Sequence, residues 1–253
     1  MPLLILLVGW GPSWIFAGVF VVLVTGALRE YFVMAFPGHL KDQVWGVLFG
    51  LSLSLPLLLS AMPEENLSLG LLIVLFLSLY LFMTGKLEER LSRLAWTLLG
   101  GVYLGYLLPY WVLLFRMPDG RAWVFFVLLV IMMGDTIAYF VGTRFGTRKL
   151  MPEISPGKTV EGALGYVAGS LIGGYLGARF LITDFGLMEA IALSAMLSIL
   201  GQIGDLFESL IKRVFAVKDS SDLLPGHGGL LDRLDSLIFP AVFATTYLKV
   251  FHS

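Results

Sequence analysis

Apolar stretches of about twenty residues recur along this chain, at 13–35, 43–61, 67–84, 94–115, 122–142, 160–182, 187–204 and 236–252. A bilayer core about 30 Å thick takes about 20 residues of α-helix. Within it, backbone N–H and C=O groups must be satisfied internally, which leaves helices or closed barrels. These lengths suit helices, so the expected fold is an all-α integral membrane protein, a polytopic bundle of about 8–9 transmembrane helices, with the first ten residues left open as a short ninth segment. Composition agrees: the chain is 58% apolar and 14% charged, with a mean hydropathy of +0.88, where soluble domains run about 45–50% and about 25%. Breakers separate the runs at Pro37-Gly38, Pro63, Pro118-Asp119-Gly120, Pro152, Pro156-Gly157 and Pro225-Gly226. The N-terminus lacks a basic n-region and an A-x-A site, so it reads as retained membrane segment. No repeat or linker divides the 253 residues, and a single polytopic membrane domain is expected.

Charge placement orients the bundle. Placing the 29–42 turn in the cytoplasm puts 85–93, 143–159 and 205–235 there too, with 13 of the 17 Lys and Arg residues. Only Arg116, Arg121, Arg179 and Lys249 fall on the opposite side, which obeys the positive-inside rule. A net charge of −1 gives no reason to expect a nucleic-acid partner. Cysteine is absent, so disulfides, thiolate metal sites and Cys nucleophiles are excluded. Oxygen ligands and His39, His227 and His252 remain for any metal.

Ionisable groups at a bilayer are costly and usually functional, and they gather in one block, Ser209–Asp235 (SLIKRVFAVKDSSDLLPGHGGLLDRLD). At its start, Asp205, Glu208, Ser209 and Lys212 fall at i, i+3, i+4 and i+7, one face of a helix. Asp232 and Asp235 are three apart, so a helix presents both on one side, where they can flank a hard cation. Capping of a helix N-terminus is the bland alternative for these acids. Asp205 and Asp232 bracket the polar loop and can converge at the membrane surface. Leu224-Pro225-Gly226-His227-Gly228-Gly229 is turn-rich, and its successive N–H groups can cradle phosphate, although most such stretches are simply turns.

A second polar block is Ser155-Pro156-Gly157-Lys158-Thr159-Val160-Glu161-Gly162. Gly157-Lys158-Thr159 mimics the end of a P-loop, but Pro152 stands where that motif needs glycine. Lys158 and Ser155 remain phosphate donors. Asp135 falls inside a span, so it should face the protein interior, with Lys158 or Arg144 as partner. Gly169, Gly173 and Gly177 recur every four residues, which suits either tight helix packing or a dimer face.

The block Ser209–Asp235 resembles the signature of the phosphatidate cytidylyltransferases (CDP-diacylglycerol synthases). Its fixed positions are all filled: Ser209, Ile211, Lys212, Arg213, Lys218, Asp219, Ser221, Leu224, Pro225, His227, Gly228, Gly229, Leu230, Asp232, Arg233, Leu234 and Asp235. Gly134–Tyr139 and Ser155–Gly162 also look like motifs of that family; Gly157 stands where many members are basic. The likeness covers about residues 130–240.

The resemblance implies a transfer from CTP to phosphatidic acid, giving CDP-diacylglycerol and pyrophosphate. The mutual repulsion of these anions calls for a divalent cation such as Mg²⁺. Size and charge pattern place the chain in a bacterial inner membrane with the site facing the cytoplasm. Asp205, Asp232 and Asp235 are the expected metal ligands for Mg²⁺, with or without a second cation. The expected catalytic set is Asp205, Lys212, Arg213, Lys218, Asp219, His227, Asp232, Arg233 and Asp235. Substrate binding is expected of Asp135, Ser155, Lys158, Glu161, Ser209, Gly228 and Gly229. Two alternatives stay open: a CTP-dependent transferase or kinase acting on another lipid, such as a polyprenol or ether lipid, and an ion transporter. A homodimer also stays open. Transport residues should span the bilayer depth, whereas these charges cluster on one face.

Overall fold

The computed structural model describes residues 2–59, 67–81, 86–182, 185–221 and 228–252. Its helices are α1 (Pro2–Trp10), α2 (Ser13–Ala35), α3 (Leu40–Leu59), α4 (Leu67–Leu81), α5 (Leu87–Gly100), α6 (Tyr110–Arg116), α7 (Gly120–Phe145), α8 (Val160–Phe180), α9 (Leu187–Val214) and α10 (Asp235–Phe251). A π-helical turn, Gly101–Tyr106, extends α5, and Leu231–Arg233 forms a 3₁₀ turn before α10. The protein is thus an all-α polytopic membrane protein. Among the described residues five helical stretches, α2, α3, Leu87–Arg116, α7 and α9, are long and apolar enough to cross a bilayer. One addition was not legible in the sequence: an antiparallel hairpin of β1 (Lys149–Met151) and β2 (Ser155–Thr159) between α7 and α8.

The chain divides into two compact units. The first comprises residues 1–11, 114–218 and 232–253. Its centre is the pair α7 and α8, and the glycines of α8 explain their closeness. A Cβ on Gly169 would meet the Met133 carbonyl oxygen, and one on Gly173 would lie 2.9 Å from that of Leu129. The small-residue stripe is therefore used for packing within the chain, where it lets two backbones touch. Gly169→Leu is expected to cost about 1–3 kcal/mol or more through overpacking. A thermal midpoint in detergent equal to wild type would contradict it. α9 packs beside α8 and carries α10.

The second unit comprises residues 12–113 and 219–231. Its core stacks Phe49 on Phe76 at 3.7 Å, with Leu53 and Tyr80 beside them. Tyr31 is fully buried and donates its hydroxyl to the Trp96 carbonyl at 3.0 Å. Arg93 pairs with Asp42 at 2.8 Å. Glu30 on α2 is buried like Asp42, although a charge within an apolar helix is costly unless it is satisfied.

Candidate active site

α9 continues unbroken past the apolar run to Val214, so Asp205, Glu208, Ser209 and Lys212 share one face. Lys212 Nζ lies 2.6 Å from Glu208 Oε2 and donates to Asp232 Oδ1 at 2.7 Å. The Glu208 side chain is fully buried, and those of Lys212 and Asp232 are only 12% and 13% exposed. The Glu208 contact is an ion pair alone, because neither carboxylate oxygen accepts a hydrogen bond of regular geometry among the described residues.

A second ion pair forms on the next turn. Lys158, on β2, reaches Asp205 Oδ2 at 2.6 Å. The strand is fixed where it meets α8, because Thr159 caps that helix by accepting from the Gly162 N–H at 3.1 Å. Thr at this position satisfies one of the free N–H groups of the first helical turn. Close backbone packing then brings the acids together. A Cβ on Gly204, the residue before Asp205, would sit 2.5 Å from the Asp235 carbonyl oxygen. Asp205 consequently lies within electrostatic range of both Asp135 and Asp235, and Lys158 acts on both of those acids. Lys212 also acts on Asp235. Two lysines thus counter the mutual repulsion of neighbouring carboxylates.

Asp135, Lys158, Gln202 and Asp205 open onto a cavity of about 470 Å³, a size that suits a small-molecule ligand. Gly142, Gly146 and Gly162 contribute to its wall. Asp232, Asp235 and Lys212 are not part of that wall. Tyr166 lines the cavity, is buried, and its hydroxyl has no hydrogen-bond partner among the described residues. It feels Asp135, Asp205 and Asp235 together. The arrangement offers carboxylates, ammonium groups and an uncommitted hydroxyl around one space, which suits a polyanionic substrate.

One expectation is corrected. Asp232 and Asp235 do not share a helix: Asp232 lies in the 3₁₀ turn, and Asp235 is the first residue of α10. The chain changes helix type at Leu234 (φ −108°, ψ −13°), so each acid is presented by a separate element. Among the described residues Asp135 makes no short ion pair with Lys158 or Arg144, although Lys158 acts on it electrostatically. Lys158 makes its short ion pair with Asp205, and Arg144 lies over the Phe145 ring at 5.9 Å.

The remaining residues take varied places. Glu161 accepts from the Thr147 hydroxyl at 2.6 Å and from the N–H groups of Thr147 and Arg148, pinning the turn ahead of the hairpin. Arg213 is exposed and donates to the Ile154 carbonyl at 3.1 Å, tying the end of α9 to the same hairpin. Ser155 opens β2, and Ser209 is buried on α9. Lys218, Asp219 and Arg233 are exposed. Gly228 adopts φ 75°, which favours glycine, and Gly229 lies against Glu30. His227 lies outside the described residues, as do Leu224 and Pro225 of the signature. Sequence reasoning missed Glu30 and Tyr166; for Glu30 the signal was a lone acid within an apolar helix.

Among the described residues, no three carboxylate or imidazole groups stand close enough to form a metal-ligand cluster. The donors gathered around Asp205 are nonetheless carboxylate oxygens, the chemistry a hard cation such as Mg²⁺ takes, and the buried Glu208 oxygens lack regular hydrogen bonds. In donor type the residues fit the metal.

A profile described as the cytidylyltransferase family matches residues 1–251. A phosphatidate cytidylyltransferase of Bacillus subtilis (strain 168) is 35% identical over 188 residues, 74% of this chain and 70% of the relative. One from Staphylococcus haemolyticus is 36% identical over 75% of each chain. One from Synechocystis sp. is 34% identical over 90% of this chain and 86% of the relative. The helices and these matches define a membrane nucleotidyltransferase. The chain belongs to the cytidylyltransferase family.

Proposed function

We propose that this protein makes CDP-diacylglycerol from CTP and phosphatidic acid, as the names of its relatives specify for them. The observation that carries the reading is the pair of lysine–carboxylate contacts, Lys158–Asp205 and Lys212–Asp232, set among further acids beside a cavity. A phosphatidate phosphate oxygen attacks the α-phosphorus of CTP. The α–β phosphoanhydride bond breaks, and pyrophosphate leaves with the electron pair. The nucleophile is already ionised, so the reaction needs no covalent enzyme intermediate and no strong general base.

Both substrates are anions, and their approach is opposed by Coulomb repulsion. Lys158 and Lys212 supply fixed positive charge for the triphosphate or the lipid phosphate, acting by preorganised electrostatics. Arg213 and Arg233 add positive charge, and Tyr166 offers a hydroxyl donor in the cavity wall. Asp205, Asp232 and Asp235 would hold Mg²⁺, which when bound neutralises phosphate charge and aligns the reacting groups. The site belongs at the cytoplasmic face of a bacterial inner membrane, because most basic residues fall on that side and CTP is found there. An acceptor with two acyl chains reaches such a site from the bilayer.

Purified protein in detergent is expected to release pyrophosphate from CTP and Mg²⁺ only when phosphatidic acid is present. EDTA is expected to abolish the release. Activity unaffected by EDTA would remove the metal, and release with a polyprenol phosphate in place of phosphatidic acid would change the acceptor.

A further inference from the structure

Glu30 lies on α2, far in sequence from every motif described above, and its carboxylate is buried. Among the described residues it accepts four hydrogen bonds in a symmetric pattern. Oε1 takes the Ser221 hydroxyl at 2.5 Å and the Leu230 N–H at 2.9 Å. Oε2 takes the Ser220 hydroxyl at 2.9 Å and the Leu231 N–H at 2.8 Å. Each oxygen therefore binds one residue from the segment before positions 222–227 and one from the segment after. The surroundings are shaped for this contact. A Cβ on Gly229 would lie 2.6 Å from Glu30 Oε2, and a Cβ on Gly26 would lie 2.8 Å from the Leu230 side chain.

We propose that Glu30 is a positioning residue for cytidylyl transfer, an anionic clamp that holds the two sides of the signature loop in register. The inference rests on the function proposed above. Leu231, one of the clamped residues, opens the 3₁₀ turn whose next residue is Asp232. Ser221 and Leu230 are fixed members of the signature, and their place in the clamp gives them a role apart from substrate contact. Only a carboxylate can serve all four donors. A glutamine, whichever way its amide is turned, places an NH₂ group against one backbone N–H that cannot reverse its polarity.

The test compares wild type with Glu30→Gln, Glu30→Asp and Ser221→Ala, each assayed per mole of monodisperse protein in detergent. Glu30→Gln is expected to lower kcat by about 10²-fold, the scale of a small misplacement of catalytic groups, with a larger effect on kcat than on the KM for CTP. Glu30→Asp, which keeps the carboxylate, is expected to recover part of the loss. Limited proteolysis should show new cleavage between Asp219 and Asp232 in the Gln variant alone. A purely structural role predicts a lower thermal midpoint with kcat per folded molecule unchanged, and that result overturns the proposal. Where the Gln variant gives no folded protein, Ser221→Ala decides: reduced kcat supports the clamp, and wild-type kcat overturns it. An inactive wild type instead counts against the function reading, and the proteolysis comparison then tests the clamp by itself.

Discussion

Asp232→Asn is expected to reduce cytidylyl transfer by about 10³-fold, the loss typical of removing a preorganised electrostatic group, while the protein stays folded. The substitution keeps shape and volume and removes only the charge. Lys212 retains its contact with Glu208 at 2.6 Å, so the buried ammonium group is not stranded. What disappears is the negative charge facing Lys212, on a residue that would hold the metal. Initial rates of pyrophosphate release and a thermal midpoint, measured on the same preparation, check both halves. Activity within tenfold of wild type would sink the assignment of Asp232.

Lys212→Met is expected to act on the fold. Lys212 stands between a fully buried Glu208 and a nearly buried Asp232, and removing it takes away the cation beside the buried Glu208 carboxylate. Breaking a buried pair from one side costs about 3–5 kcal/mol, because the partner left behind is uncompensated. The thermal midpoint in detergent should fall by many degrees. Adding Glu208→Gln should restore part of it, since the double variant buries one charge fewer. An unchanged midpoint in the single variant would mean that water already screens these groups.

Much of this site was legible before any coordinates. The i, i+3, i+4, i+7 spacing placed Asp205, Glu208, Ser209 and Lys212 on one helical face, and α9 presents them so. The apolar runs marked the helices because hydrophobic length is a direct consequence of bilayer thickness. The sequence could not show how each charge was paired. Lys158 could be matched to several acids, and the hairpin that aims it at Asp205 arises from long-range packing that local pattern does not encode. The break between Asp232 and Asp235 was hidden for a related reason. A 3₁₀ turn and an α-helix accept the same residues, and tertiary contacts select between them. Glu30 was readable as an anomaly, a lone acid near the end of an apolar helix, but its four donors lie 190 residues or more away.

The contact between Gly204 and the Asp235 carbonyl oxygen has a bearing on how this enzyme can diversify. The approach of α9 to the start of α10, and with it the spacing of Asp205 and Asp235, depends on an absent methyl group at Gly204. Substituting this glycine therefore offers an inheritable adjustment of the charge array in which every ionisable side chain is kept. Screens confined to the polar residues would overlook such a change.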